Sequence, residues 1–135
     1  MIFVDTNVLV DVVDNDPIWA GWSRRQLVNA ATLGEVAIND IVYAELSVGY
    51  QTPEEVEAVI TRMGVVLVPI PRLALFIAGK AYQRYRASGG IRTGVLPDFF
   101  IGAQALVAGA ELITRDVGRY RTYFPGLALI APRPN

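Results

Sequence analysis

Met1-Ile2-Phe3-Val4-Asp5-Thr6-Asn7-Val8-Leu9-Val10-Asp11 opens the chain. The β-branched and aromatic run Ile2-Phe3-Val4 reads as a buried strand, because its backbone needs a sheet and its side chains need cover on both faces. Asp5 stands where that strand stops. In open α/β sheets the strand ends border the ligand crevice, so a carboxylate there is placed for chemistry. The same residues also read as a helix N-cap, since Asp, Thr and Asn all cap and Val8 to Val13 supply a helix to follow. What separates the two readings is whether other carboxylates converge on Asp5.

At 135 residues the chain is read as a single domain, residues 1–135, with 53% hydrophobic residues. That is rich for so small a globule and suggests that a second copy or a partner covers part of the apolar surface. The apolar stretches are too short to span a bilayer and the N-terminus has no basic leader, so a cytoplasmic protein without a membrane anchor is expected. Cysteine and histidine are both absent. This excludes disulfides, thiol nucleophiles, zinc sites of the usual ligand type and imidazole bases, leaving carboxylates to carry any catalysis. With a net charge of −1 there is no global basic field to draw the protein onto nucleic acid. The basic residues are nonetheless almost all arginine, which suits phosphate but equally reflects a GC-rich genome.

Strand and helix signals alternate along the chain. The spacing predicts helices over Ile18 to Leu33, Ile41 to about Val48 behind the cap pair Asn39-Asp40, and Thr52 to Met63 behind a capping box of Thr52 and Glu55. Further helices are expected from about Leu73 to Ala87 and from Pro97-Asp98 onward. Strands are expected at Glu35 to Ile38, Val65 to Val68, Leu112 to Thr114 and Leu127 to Ile130. Such alternation implies a three-layer α/β/α sandwich around a central parallel sheet of about five strands.

Three more acids stand out. Glu45 falls on the stripe Ile41, Ala44, Val48 if that face is buried, where an unpaired acid is costly; the other reading puts it at the stripe's edge, in reach of water. Asp98 heads a segment, Phe99 to Ala110, without any charge. It therefore sits at the mouth of the core, in a first helical turn whose dipole favours the ionised form. Asp116 repeats the arrangement of Asp5, an apolar run, a threonine and then an acid, and its alternative is an Asx-turn. Four acids at one edge of a parallel sheet would repel one another unless a divalent cation bridged them, and an oxygen-only donor set suits magnesium or manganese.

With these residues in view, the chain resembles PIN-domain ribonucleases, and most of all the VapC toxins of prokaryotic toxin–antitoxin pairs. The resemblance runs over nearly the whole length: the opening stretch to Asp11, Tyr43-Ala44-Glu45-Leu46, Leu96-Pro97-Asp98-Phe99-Phe100-Ile101-Gly102-Ala103-Gln104-Ala105, Leu112-Ile113-Thr114-Arg115-Asp116 and Phe124-Pro125-Gly126-Leu127. It implies a PIN-like fold, a magnesium site with manganese as the alternative, RNA cleavage (tRNA, rRNA or mRNA), homodimerisation and inhibition by a VapB-type antitoxin. Asp5, Glu45, Asp98 and Asp116 fall on the family's four acidic positions, and Thr6, Asn7 and Thr114 on its small polar ones. The loop Gly89 to Val95 matches least.

On that basis Asp5 and Asp98 are expected to ligate the metal, Asp116 to hold it directly or through water, and Glu45 to orient or deprotonate the attacking water. Arg92, Arg115 and Arg119 are candidates for contacting RNA phosphates, with ordinary surface arginines as the alternative. Trp19 and Trp22 read as core or interface residues before base-stacking ones, and Tyr82 and Tyr85 share that ambiguity. Two rivals remain open: a metal-dependent phosphatase with Asp5 as nucleophile, which normally wants a second acid where this chain has Asn7, and a non-catalytic RNA- or protein-binding module.

Overall fold

Ile2–Val4 forms β1, the middle strand of a five-stranded sheet, in a computed structural model that describes residues 1–91 and 94–133. Along the chain follow α1 (Thr6–Val13), α2 (Ala20–Leu33), β2 (Val36–Ile38), α3 (Asp40–Ser47), α4 (Pro53–Met63), β3 (Val65–Leu67), α5 (Arg72–Ala87), α6 (Leu96–Val107), β4 (Glu111–Ile113), α7 (Val117–Tyr123) and β5 (Leu129–Ile130). The strand order is β3-β2-β1-β4-β5, and every pairing is parallel. The α/β sandwich read from the sequence is therefore the fold.

Because parallel crossovers are right-handed, α1 to α4 cover one face of the sheet and α5 to α7 the other. The chain first winds outward from β1 to β3, then returns over the sheet to β4 and winds the opposite way. The reversal falls between β1 and β4, paired Ile2 to Glu111, Phe3 to Leu112 and Val4 to Ile113. At such a switch point the loops beyond the two strand ends part and leave a crevice. Asp5 follows β1, and Thr114 to Asp116 follow β4.

The strands are short, so the sheet depends on burial more than on length. Phe3, Val4, Ala37, Ile38, Leu112 and Ile113 are fully or nearly fully buried, each of the larger ones contributing about 1.5–3 kcal/mol relative to exposure. β3 is an edge strand whose Val66 and Leu67 stay partly exposed. Among the described residues no helix is long and apolar enough to cross a membrane.

Helix boundaries follow capping chemistry. Asn39 takes the N–H of Val42 at 3.0 Å to start α3, and Thr52 takes that of Glu55 at 3.2 Å to start α4. α2 begins two residues later than periodicity suggests, since Asp16 Oδ1 accepts the N–H groups of both Ile18 and Trp19 and holds them in a turn.

One face was assigned wrongly by periodicity. The buried side of α3 is Val42 and Leu46, in line with buried Asn39, while Val48 is 89% exposed. Ile41-Ala44-Val48 and Asn39-Val42-Leu46 are both helical stripes, and the cap bond of Asn39 turns the second one to the core. Glu45 consequently lies on the exposed side.

Candidate active site

Asp5 is 5% exposed, and each of its carboxylate oxygens is taken by donors from the chain. Oδ1 accepts the N–H of Thr6 at 2.8 Å. Oδ2 accepts the hydroxyls of Thr114 at 2.8 Å and Tyr120 at 3.0 Å, with Asn7 Nδ2 at 3.5 Å. Thr114, fully buried, also accepts the N–H of Asp116 at 3.0 Å, so one hydroxyl sets both the Asp5 rotamer and the turn that presents Asp116. Burial pushes the Asp5 carboxyl above its ordinary value; the bonds from Thr114, Tyr120 and Thr6 oppose that rise, and the charge of Glu45 adds to it. Tyr120 is held well above a normal phenol by its own burial and by the charges of Asp5 and Asp98, so it remains a donor.

Glu45 reaches this group from the solvent side: the Thr6 hydroxyl donates to its Oε1 at 2.7 Å across α1 and α3. A groove of about 330 Å³ opens next to it, lined by Val10, Val13, Glu45, Leu46, Val48 and Tyr50. Asp98 lies in the first turn of α6 but forms no cap bond. Its carboxyl is raised to about 6, first by burial and then by the charge of Asp5, with smaller contributions from Glu45 and Asp116 and an opposing one from Arg119. The helix dipole alone would have kept it an ordinary acid; burial, and then the acids around it, outweigh that. Asp116 is more exposed than Asp98, its side chain 45% accessible against 23%. It too makes no side-chain cap bond, so the alternative Asx-turn does not form; Thr114 Oγ1 takes the Asp116 N–H instead.

The arginines divide. Arg119 Nη1 binds Asp98 Oδ2 and lies 3.6 Å from Asp116 Oδ2. Arg115 forks onto Asp11, Nε to Oδ2 at 2.7 Å and Nη2 to Oδ1 at 2.9 Å, and its guanidinium lies over Trp19 at 5.0 Å. Its head is thus committed within the fold. Arg92 lies outside the described residues. Trp19, just before α2, and Trp22 within it are both half-buried and meet edge to face at 6.3 Å, and Tyr82 and Tyr85 stack at 6.1 Å within an aromatic cluster around Phe99. Both pairs are packing residues.

That cluster positions the crevice. Phe99 touches Tyr123 and Phe124, tying α7 to α6, and Gly102 permits the approach, since a Cβ there would sit 2.8 Å from the Phe124 ring and 3.1 Å from that of Tyr120. Sequence reasoning did not single out Tyr120, Asp11 or Ser23, whose hydroxyl donates to Asp11 Oδ2 at 2.8 Å. A seven-residue helix is too short to reveal which side faces inward, and nothing in Val10-Asp11-Val12 announces a partner at Arg115.

A family model described as the PIN domain matches residues 2–125. The chain belongs to the PIN-domain family. No match is found among curated proteins. Among solved structures, VapBC2 from Rickettsia felis bound to a DNA fragment from its promoter is similar at TM-score 0.75 and 22% identity, over 98% of this chain and 100% of that one. VapBC-1 from nontypeable Haemophilus influenzae gives 0.72 and 21%, over 97% and 98%. FitAcB from Neisseria gonorrhoeae gives 0.66 and 19%, over 96% of each chain. At these identities the likeness concerns the fold.

In this PIN domain the donor chemistry at the switch point is all oxygen and net acidic, which fits a hard divalent cation. Burial and the neighbouring acids both disfavour the Asp98 charge, and such an ion would offset both. As they stand, no three acids among the described residues surround one point. Asp98 is engaged by Arg119 and Glu45 by Thr6.

Proposed function

We propose that this PIN domain, acting as one domain, is a metal-dependent endoribonuclease and the toxin of a VapBC-type toxin–antitoxin pair. The observation that carries the reading is the placement of acids at the β1/β4 switch point: Asp5 and Asp116 follow the two neighbouring parallel strands, and Arg119 bridges Asp116 to Asp98. The likeness to VapBC structures supports the toxin assignment and suggests a VapB-type antitoxin as partner. The groove beside Glu45, flanked by exposed Val13 and Val48, is a fitting seat for it or for RNA. Homodimerisation would cover part of the remaining apolar surface, and cytoplasmic RNA is the substrate class.

Asp5 and Asp98 would hold magnesium, with manganese as the alternative, and Asp116 would hold it directly or through water. When bound, the ion supplies Lewis-acid chemistry, lowering the pKa of water and offsetting charge on the phosphoryl oxygens. Glu45, exposed and oriented by Thr6, accepts a proton from the attacking water. Thr114 and Tyr120 fix Asp5 so that its oxygens do not reorganise during the reaction. Hydrolysis leaves a 5′-phosphate and a 3′-hydroxyl.

A phosphatase with Asp5 as nucleophile is disfavoured because it wants a second acid two residues on, where this chain has Asn7. The test is purified protein, freed of copurifying peptide, incubated with tRNA and ribosomal RNA in magnesium or in chelator, with the product ends sequenced. Cleavage that is indifferent to chelator, or a phosphoenzyme trapped on Asp5, would overturn the proposal.

A further inference from the structure

Arg119 occupies an unusual place for a surface arginine. A single nitrogen, Nη1, ties it to Asp98 at the start of α6 and faces Asp116 one turn back on its own helix. Its side chain is 21% exposed, against 23% for Asp98. These are the carboxylates that a divalent ion would also use if the nuclease reading above holds, and this inference rests on that reading. A guanidinium on these carboxylates repels an entering cation and takes one oxygen of each, so the two compete for the pair of acids.

Arg115 provides the contrast. Two of its nitrogens engage both oxygens of Asp11, and Trp19 lies against its guanidinium. Arg119 has neither that fork nor an aromatic partner among the described contacts, and α7 is held to α6 by Tyr120, Tyr123 and Phe124 without its help. The packing of the helix therefore does not depend on the Arg119 head. An arginine released from carboxylates beside a metal lies within reach of the phosphate that the metal polarises, and its planar fork matches phosphate oxygens.

We propose that Arg119 is an internal counter-ion: it neutralises Asp98 and Asp116 in the metal-free protein, is displaced when the divalent ion enters, and then binds the RNA phosphate. It therefore opposes metal binding and assists cleavage, two effects of opposite sign that a purely structural residue would not produce.

The test measures the affinity of the purified full chain for Mn²⁺ by calorimetry, and RNA cleavage at saturating Mn²⁺, with thermal unfolding as the check on folding. Arg119→Gln is expected to bind Mn²⁺ roughly three- to tenfold more tightly and to cleave about tenfold more slowly. Arg119→Lys, which keeps the charge without the fork, is expected to fall between and decides the matter should the glutamine variant not fold. Arg121→Gln, an equal change of net charge on the exposed side of α7, is expected to stay within about twofold in affinity. Arg119 variants that bind Mn²⁺ no more tightly than wild type, or that match the Arg121 variant, would overturn the counter-ion role while leaving the nuclease reading intact. A wild-type protein that binds no Mn²⁺ would overturn both.

Discussion

Two aspartates lie buried six positions apart, Asp5 at the head of α1 and Asp11 in its last turn, and the fold treats them oppositely. Asp11 is neutralised from within: a two-pronged arginine and a serine hydroxyl satisfy its oxygens. Asp5 receives an amide and two hydroxyls but no cation, and the charge that bears on it, that of Glu45, is acidic. A buried charge paired inside the fold is a structural device. One provided only with neutral donors is solvated but not neutralised, and its charge is left for something from outside. The comparison thus separates a lock from a site by what surrounds each carboxylate, although the residue type, the helix and the burial are the same.

The largest effect that tests this distinction is at Asp5. Asp5→Asn keeps the volume and most of the donors' geometry while removing the charge, and is expected to lower RNA cleavage by about a hundred- to a thousandfold with the thermal midpoint little changed. An active Asn variant would erase the difference between the two aspartates. Asp11→Ala should behave in the reverse manner, destabilising the protein by about 3 kcal/mol because the Arg115 head loses its partner. Denaturant unfolding measures that loss, while cleavage per folded molecule should stay within a few-fold.

Tyr120→Phe sharpens the comparison at one atom. It keeps the ring packed against Gly102 and deletes one of the donors to Asp5, and about a tenfold loss of cleavage is expected with little change in folding. The smallest effect concerns Asp98, whose carboxyl moves from an ordinary 3.8 to about 6. Between those values the folded, metal-free protein holds a proton that the unfolded chain has released, so stability should fall as pH rises from about 4 to about 6 and level off above. Asp98→Asn is expected to reduce that slope, leaving the part due to Asp5, and to leave the protein roughly 1 kcal/mol more stable at neutral pH in chelator, after allowing for water at a partly exposed group. Thermal unfolding across pH in chelator checks both.

Much of the architecture is legible in short segments. Ile2-Phe3-Val4 and Leu112-Ile113 are hydrophobic and β-branched enough to require burial on two faces, and helices separate them, so a parallel sheet with both acids beyond its strand ends follows. Asn39 and Thr52 cap as their chemistry suggests. The uncharged stretch after Asp98 foretells a helix buried on nearly every side, with Gly102 at a close approach. Glu45 was harder, because Ile41-Ala44-Val48 and Asn39-Val42-Leu46 satisfy the same period, and the choice between them needs to know where the sheet lies. Tyr120 was invisible, since one and a half turns of helix carry no period to read.

What this sequence determined by itself is a donor inventory and an order: no histidine or cysteine, carboxylates placed after apolar runs, and strands alternating with helices around a sheet that must be buried. What the tertiary structure decided is the state of each charge. Asp11 and Arg115 meet across 104 positions, and Asp98 and Arg119 across 21. Periodicity reports which side of an element is apolar, but it carries no information about which distant element brings a cation to it. That depends on strand order and on the closeness of helix packing, and it is what makes one buried aspartate a lock and leaves the other open to an ion.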